Sequence, residues 1–395
     1  MRDVPPRADL VLDALGPALD GSGPAVRVTA SLEDASGSPS GSSCVPPVEV
    51  PDEVALAVAT SGSTGQPRTA LLTTDALVAS ARATEARLSG PGRWLLVLPV
   101  EHVAGLQVLA RSVLAGTRPV VALGSPFTAA GFTAAVDRLR SSDDGRPTYT
   151  SLVPTQLVRV LDDPAATDAA RTFDAVLLGG AATPAPLLAR ARAAGLRVVT
   201  TYGMTETCGG CVYDGVPLDG VDVRLDDDGR VLLGGAVLLA GYLDAPDPFV
   251  DVDGTRYLRT NDLGRIDDGV LTVLGRADDV VVTGGVNVAP AAVEAALASL
   301  PGVAESLVVG VPDATWGHAV AALVVPAPGA TVTLPDVRAH VAQTLGPAHA
   351  PRHLLVVDAL PLRGPGKPDR RTARALVVDH LTPDTTPDPT TRSPE

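Results

Sequence analysis

Lysine is almost absent from this sequence: Lys367 stands alone, and the remaining basic side chains are arginine. Aromatic residues make up 3% of the chain, so any core has to be built mostly from Ala, Val and Leu. The three cysteines, Cys44, Cys208 and Cys211, are too few for a disulfide framework. No apolar run is long enough to cross a bilayer, since the most apolar stretch, 231–243, is short and broken by Gly234, Gly235 and Gly241. The N-terminus shows no basic flank followed by an apolar segment, so no signal peptide is expected and a cytoplasmic location follows. A net charge of −14 argues against a nucleic-acid footprint and against docking on an anionic membrane. The expected partners are therefore small molecules, with the protein a monomer or a homodimer.

What is present is a chain with room for two domains and a hydrophobic content of 45%, typical of globular proteins. Residues 1–50 carry a short helical pattern (Leu10, Val11, Leu12, Leu15) and then a Gly/Ser/Pro-rich run, and are expected to form a poorly structured segment and linker. From 51 onward, apolar strand-like runs alternate with Ala/Leu/Arg-rich stretches that predict helices at 74–89, 103–115, 128–140 and 184–194. Continuously apolar strands alternating with helices imply an α/β domain with mostly parallel sheet, buried on both faces. Short alternating strands with Asp/Gly turns over 220–275 suggest a small β subdomain within a large domain of 51–277. A small α+β domain follows over 278–380, with helices expected at 290–299 and 334–344. The Pro/Thr/Asp-rich stretch 381–395 reads as a disordered tail.

The strongest chemical signal is ATSGSTGQPRTA at 59–70. Small hydroxylated and glycine residues after a strand let several backbone N–H groups converge on a phosphate. Here Thr60, Ser61, Gly62, Ser63, Thr64 and Gly65 supply the turn and its hydroxyls, and Arg68 adds charge. Four further segments follow in order: TTYGMTET (200–207), YLRTNDLGR (257–265), LGRADDVVVTGG (274–285) and PLRGPGKPDRR (361–371). With these five motifs the chain resembles the adenylate-forming superfamily of acyl-CoA synthetases, adenylation domains and luciferases, over roughly residues 53–372.

That resemblance implies ATP, Mg²⁺ and CoA as co-substrates and cofactor, and assigns roles. Glu206 and Thr64 would hold Mg²⁺, a hard cation that prefers oxygen. Thr205 would contact the α-phosphate, and Tyr202 with Gly203 would lie beside adenine. Gly179, Gly180 and Ala181 would let backbone approach the base. Asp262 and Arg276 would bind the ribose. Lys367 would reach the attacking carboxylate, a task suited to a compact ammonium and not to a planar guanidinium. Asp278 matches the family's hinge residue, and Gly284 with Gly285 the loop lining the thiol tunnel.

The segments LPVEHVAGLQVLARSVLAG and SLVPTQLVRVL are similar to those of o-succinylbenzoate–CoA ligases of menaquinone biosynthesis, including the short forms. The likeness implies that His102 and Gly105 border the acid, that Ser151 lines its pocket, and that Arg111 anchors the second carboxylate through a bidentate contact. Another aryl- or acyl-CoA ligase, or an enzyme loading a carrier protein, remains the alternative. The pair Cys208 and Cys211 lacks the further ligands a zinc site needs, and reads as small residues of the pocket wall.

Overall fold

The computed structural model describes residues 1–29, 48–60, 68–123, 127–142, 144–363 and 367–381, with backbone alone at 363 and 367. Two compact units divide the chain, Met1–Val273 and Leu274–Glu395. The division falls after Val273, four residues before the boundary expected between 277 and 278. Residues 61–65 of the phosphate-loop motif, the Gly/Ser-rich run after 29 and the tail from 382 lie outside the described residues.

The first unit opens with strand β1 (Arg2–Val4), helix α1 (Ala8–Leu19) and strand β2 (Val26–Val28). β2 lies between β1 and β3 (Val54–Thr60) in parallel, and β3 turns back into the antiparallel β4 (Arg68–Thr73). The expectation of a poorly structured start is therefore corrected for residues 1–29. Val11, Ala14, Leu15, Ala18 and Leu19 are buried, and their spacing of three and four places them on one face of α1. Asp3 and Arg27 pair across β1 and β2 at 2.6 Å. The short helical pattern was visible in the sequence, but the Gly/Ser-rich run beside it masked how much core it carries.

After α2 (Thr74–Arg87) the chain builds a seven-stranded sheet from β5 (Arg93–Leu96), β6 (Val120–Val121), β7 (Thr148–Leu152), β8 (Ala175–Leu178), β9 (Val198–Met204), β10 (Gly209–Tyr213) and β11 (Val216–Pro217). Strands β9, β8, β7, β5 and β6 run parallel in that order, and β10 and β11 return antiparallel at one edge. The connecting helices are α3 (Val103–Leu114), α4 (Ala129–Ser141), α5 (Pro154–Leu161), α6 (Pro164–Ala170) and α7 (Ala185–Ala193). Both sheet faces are covered, as the apolar continuity of the strands requires. In β8, Ala175 and Leu177 join the core formed with α1, α2 and α3, while Val176 and Leu178 join the core on the other face with α4 to α7.

A third sheet comprises β12 (Val221–Leu225), β13 (Arg230–Gly235), and, after the two-residue strand β14 (Gly241–Tyr242), β15 (Phe249–Val252) and the long β16 (Thr255–Asp267). β14 leaves this sheet and pairs with β4, so Tyr242 lies opposite Ala70. β17 (Val270–Arg276) follows at the edge of β16.

The second unit holds β18 (Val281–Thr283), β19 (Val286–Val288), α8 (Pro290–Leu297), β20 (Val303–Asp313), β21 (Gly317–Pro326), α9 (Leu334–Leu345) and β22 (His353–Val356). It closes with a two-stranded hairpin, β23 (Leu362–Arg363) and β24 (Lys367–Pro368), and α10 (Arg370–Leu381). The β20–β21 ribbon alternates in the same way: Val308, Val320, Ala322 and Val324 face α8 and α9, and Leu307, Val309, Ala321 and Leu323 face α10.

Because Leu15 is fully buried in the first core, Leu15→Ala should lower the unfolding free energy by roughly 2–5 kcal/mol. Denaturant titration measures this, and an unchanged midpoint would show that α1 is dispensable.

Candidate active site

The parallel strands deliver the motif residues to their C-terminal ends, where open α/β sheets bind ligands. β8 runs into Gly179, Gly180 and Ala181, and β9 into Tyr202, Gly203 and Met204. A single 3₁₀ turn, Thr205–Thr207, then reverses the chain into β10. Thr207 is fully buried and holds this corner: its hydroxyl donates to the Gly209 carbonyl at 2.7 Å and accepts from the Met204 N–H at 3.0 Å. Cys208 completes the reversal with φ 52°. Gly203 faces Gly210 across the strands so closely that a Cβ would meet the Gly209 oxygen at 2.1 Å.

The corner pushes Glu206 outward to meet Tyr242. The Tyr242 hydroxyl donates to Glu206 Oε1 at 2.6 Å, and the Arg68 guanidinium stacks 5.5 Å from the centre of the same ring. Burial first, then the Glu206 carboxylate, push the Tyr242 hydroxyl well above the usual phenol range, so it remains a donor. Its bond leaves Glu206 Oε2 for a further contact. A carboxylate oxygen at this position suits a hard divalent cation. Thr60 and Arg68 pair directly across β3 and β4 and so mark the two ends of the phosphate-loop motif.

On the other side of β9, the Tyr202 hydroxyl donates to Asp262 Oδ2 at 2.7 Å. Asp262 sits on β16, where its own N–H donates to the Thr260 hydroxyl at 3.1 Å. Burial, followed by the Asp262 charge, drives the Tyr202 hydroxyl upward. Two residues sixty positions apart in sequence, expected at adenine and at ribose, are thus brought into direct contact.

Helix α3 carries most of the residues expected to border the acid. His102 stands exposed at the residue before the helix, and its carbonyl accepts from the N–H groups of Gly105 and Leu106. A Cβ at Gly105 would lie 2.2 Å from the Pro99 carbonyl oxygen, so the close pass of the loop over the helix start requires glycine. Ser151 is half-buried on β7.

Arg111 lies further along α3 than His102 and Gly105. It is 3% exposed, with its guanidinium 5.2 Å from the Trp94 ring centre. Its charge acts on Glu85 of α2, whose carboxyl burial raises above the usual range. Nine residues after His102, Arg111 is rotated by about half a turn and displaced by roughly 13 Å along the helix. Its Nε has no hydrogen-bond partner among the described residues, so the guanidinium keeps an unused donor.

Between these groups lies Gln107, 2% exposed, which donates to the Cys208 carbonyl and braces the corner from behind. Cys208 and Cys211 are both fully buried and join different cores, the first with α1 to α3 and the second with the third sheet. Their side chains are packing groups and not an open pocket wall. Tyr242, Thr207 and Gln107 were missed in the sequence. The Tyr in the GYLD run was the one available signal, as an aromatic in a chain with few of them.

In the second unit, Arg276 forms a two-pronged ion pair with Asp278, at 2.8 and 2.7 Å. Gly284 and Gly285 form the turn between β18 and β19, and the Gly284 N–H donates to the Trp316 carbonyl at 3.0 Å. Lys367 begins β24 and pairs with Arg363.

Residues 8–242 match the family of AMP-binding enzymes, and residues 292–367 match the AMP-binding enzyme C-terminal domain. The chain belongs to the AMP-binding enzymes. This AMP-binding enzyme is 51% identical over 329 residues to a probable 2-succinylbenzoate–CoA ligase of Mycobacterium tuberculosis, covering 82% of this chain and 84% of that one. A 2-succinylbenzoate–CoA ligase of a Geobacillus species is 31% identical over 356 residues, covering 83% of this chain and 70% of that one. Among solved structures, o-succinylbenzoate coenzyme A synthetase (MenE) from Bacillus subtilis in complex with ATP and magnesium superposes with TM-score 0.68 at 29% identity, over 82% of this chain and 71% of that chain. ATP-bound MatB from Rhodopseudomonas palustris superposes with TM-score 0.74 at 26% identity, over 92% of this chain and 76% of that chain. The adenylate-forming fold expected from the motifs is the fold of these structures.

Burial holds the Cys211 thiol up at about 12 and pushes that of Cys208 higher still. At pH 8 both are protonated, so neither should react with iodoacetamide in the native protein, while both should react in denaturant. Peptide mapping reads the result, and fast native labelling at either position would contradict their enclosure.

Proposed function

We propose that this chain is an ATP-dependent 2-succinylbenzoate–CoA ligase acting in menaquinone biosynthesis, in the cytoplasm. The observation that carries the reading is the paired grouping at the end of β9, Tyr202 with Asp262 and Glu206 with Tyr242. It stands in a chain half of whose residues, over most of its length, are those of a succinylbenzoate ligase.

In the first half-reaction a carboxylate oxygen of succinylbenzoate attacks the α-phosphorus of ATP. A P–O bond forms, and the bond to the departing pyrophosphate breaks. Negative charge accumulates between the reactants, and fixed positive groups lower its cost. Glu206 and Thr64 would hold Mg²⁺, whose charge would supply part of that neutralisation. Arg68 contributes a charge at the loop's end, oriented by its stacking on Tyr242, and Thr205 offers a hydroxyl to the α-phosphate. Asp262 accepts from the ribose hydroxyls, and Tyr202, held by the same carboxylate, presents its ring to adenine beside Gly179, Gly180 and Ala181. Lys367 donates to the attacking carboxylate and the bridging oxygen.

In the second half-reaction the CoA sulfur attacks the acyl carbon, the carbon–oxygen bond to AMP breaks, and the thiol proton is lost to solvent. Asp278 is the hinge for this change of task, with Gly284 and Gly285 admitting the thiol. Arg276 binds ribose when it leaves Asp278. His102, Gly105 and Ser151 border the acid. Arg111, buried with an unused Nε donor, anchors the second carboxylate of the acid.

Incubation with ATP, Mg²⁺ and o-succinylbenzoate, with and without CoA, tests the reading by mass spectrometry of AMP, pyrophosphate and thioester. The expected result is CoA-dependent thioester formation that Lys367→Ala abolishes. Turnover only with other acids, or only with a carrier protein, would replace the assigned acid or acceptor. Tyr242→Phe removes the hydroxyl that orients Glu206. It should raise the Mg²⁺ concentration needed for half-maximal pyrophosphate release by about 10–100-fold, the usual effect of losing a metal ligand's hydrogen-bonding partner.

A further inference from the structure

Arg370 makes four side-chain hydrogen bonds, and nothing in the reaction so far uses it. Its Nε donates to Asp279 at 2.9 Å, and its two terminal nitrogens reach Glu294 at 2.5 and 3.1 Å. The nitrogen nearer Glu294 also donates to the Val308 carbonyl at 2.7 Å, while Glu294 accepts from the Val308 N–H at 2.8 Å. One guanidinium thus joins the 3₁₀ turn Ala277–Asp279, helix α8 and strand β20. The planar fork of arginine suits this three-way contact, which an ammonium could satisfy only in part.

The location of Arg370 gives these bonds a consequence. It is the first residue of α10 and stands three residues after Lys367, so the two Cα atoms are at most about 10 Å apart. The intervening Asp369 fixes the rest of the path. Its N–H donates to the Pro361 carbonyl at 2.9 Å, closing the β23–β24 hairpin. Its carboxylate caps α10 by accepting from the N–H groups of Arg371 and Thr372. The hairpin that carries Lys367 is therefore anchored through Asp369 to a helix whose first residue is locked to Asp279, directly after Asp278.

We infer that Arg370 is a positioning residue for adenylation, tying the Lys367 hairpin to the turn at Asp278 so that the two move as one piece. This rests on the reading of Lys367 and Asp278 given above. A displacement of about 1 Å at a reacting group can cost on the order of a hundredfold in rate, so a loosened hairpin should impair the step that uses Lys367 and spare the step that does not.

The test measures two half-reactions separately in the full-length protein. Adenylation is read as pyrophosphate release from ATP and o-succinylbenzoate, and thioester formation is read from chemically prepared succinylbenzoyl-adenylate plus CoA. Arg370→Lys, Asp279→Asn and Glu294→Gln are compared with Lys367→Ala, with circular dichroism and Tm recorded for each. The expected result is adenylation kcat lowered about a hundredfold in Asp279→Asn and Glu294→Gln, less so in Arg370→Lys, with KM for ATP and the thioester step within about twofold of the parent. Equal loss of both half-reactions together with a fallen Tm would overturn the inference in favour of a purely structural network, as would unchanged adenylation in all three variants. If Lys367→Ala itself retains adenylation, the role given to Lys367 fails, a result distinct from failure of the Arg370 link.

Discussion

The reversal between β9 and β10 governs the geometry of the first unit. The strand must turn back within one 3₁₀ turn while its flanking glycines pass at backbone contact distance, and the buried Thr207 hydroxyl holds the two limbs together. Side chains immediately before the corner point toward β16, which brings Tyr202 to Asp262. The side chain at its apex points toward β14, which brings Glu206 to Tyr242. The Tyr202–Asp262 and Glu206–Tyr242 pairs are thereby spaced by backbone and not by flexible side chains. Gln107 extends the support to α3, so that helix and the corner share one reference.

The second unit solves a different problem. On the proposed reading, a lysine that serves one half-reaction and withdraws for the next has to ride on something stiff, or its position is lost with each excursion. A β-ribbon with cores on both faces supplies the stiffness. Arg370 supplies the connection, at separations of 91 residues to Asp279 and 76 to Glu294. Partly buried charges in such a network contribute modestly to net stability, because desolvation offsets much of their attraction. Their directional bonds define a geometry instead.

Local signals were legible in the sequence. The helices expected at 74–89, 103–115, 128–140 and 184–194 appear as Thr74–Arg87, Val103–Leu114, Ala129–Ser141 and Ala185–Ala193. Their periodicity and the strands' apolar continuity are properties of neighbouring residues. Asp262 and Glu206 were marked by motif context. What escaped depends on distant partners or on helix phase. Tyr242 sits on a two-residue strand and acquires meaning only from Glu206, 36 positions earlier. Arg111 was marked by its place in the motif, but its contact with Trp94 depends on a half-turn of helix phase that the motif does not show. The first 29 residues were undervalued because a five-residue apolar stripe is diluted by the Gly/Ser-rich run that follows.

Cys208 occupies the left-handed region with φ 52°, a conformation that a residue bearing a Cβ adopts at a cost of about 1–2 kcal/mol. Glycine would relax there, and the chain has glycines at the next two positions, yet a side chain is retained and fully enclosed. The surrounding core therefore carries a small permanent load, like a spring held compressed by its housing. A corner under such load has few alternative shapes within reach, and Glu206, two residues away, inherits that lack of freedom.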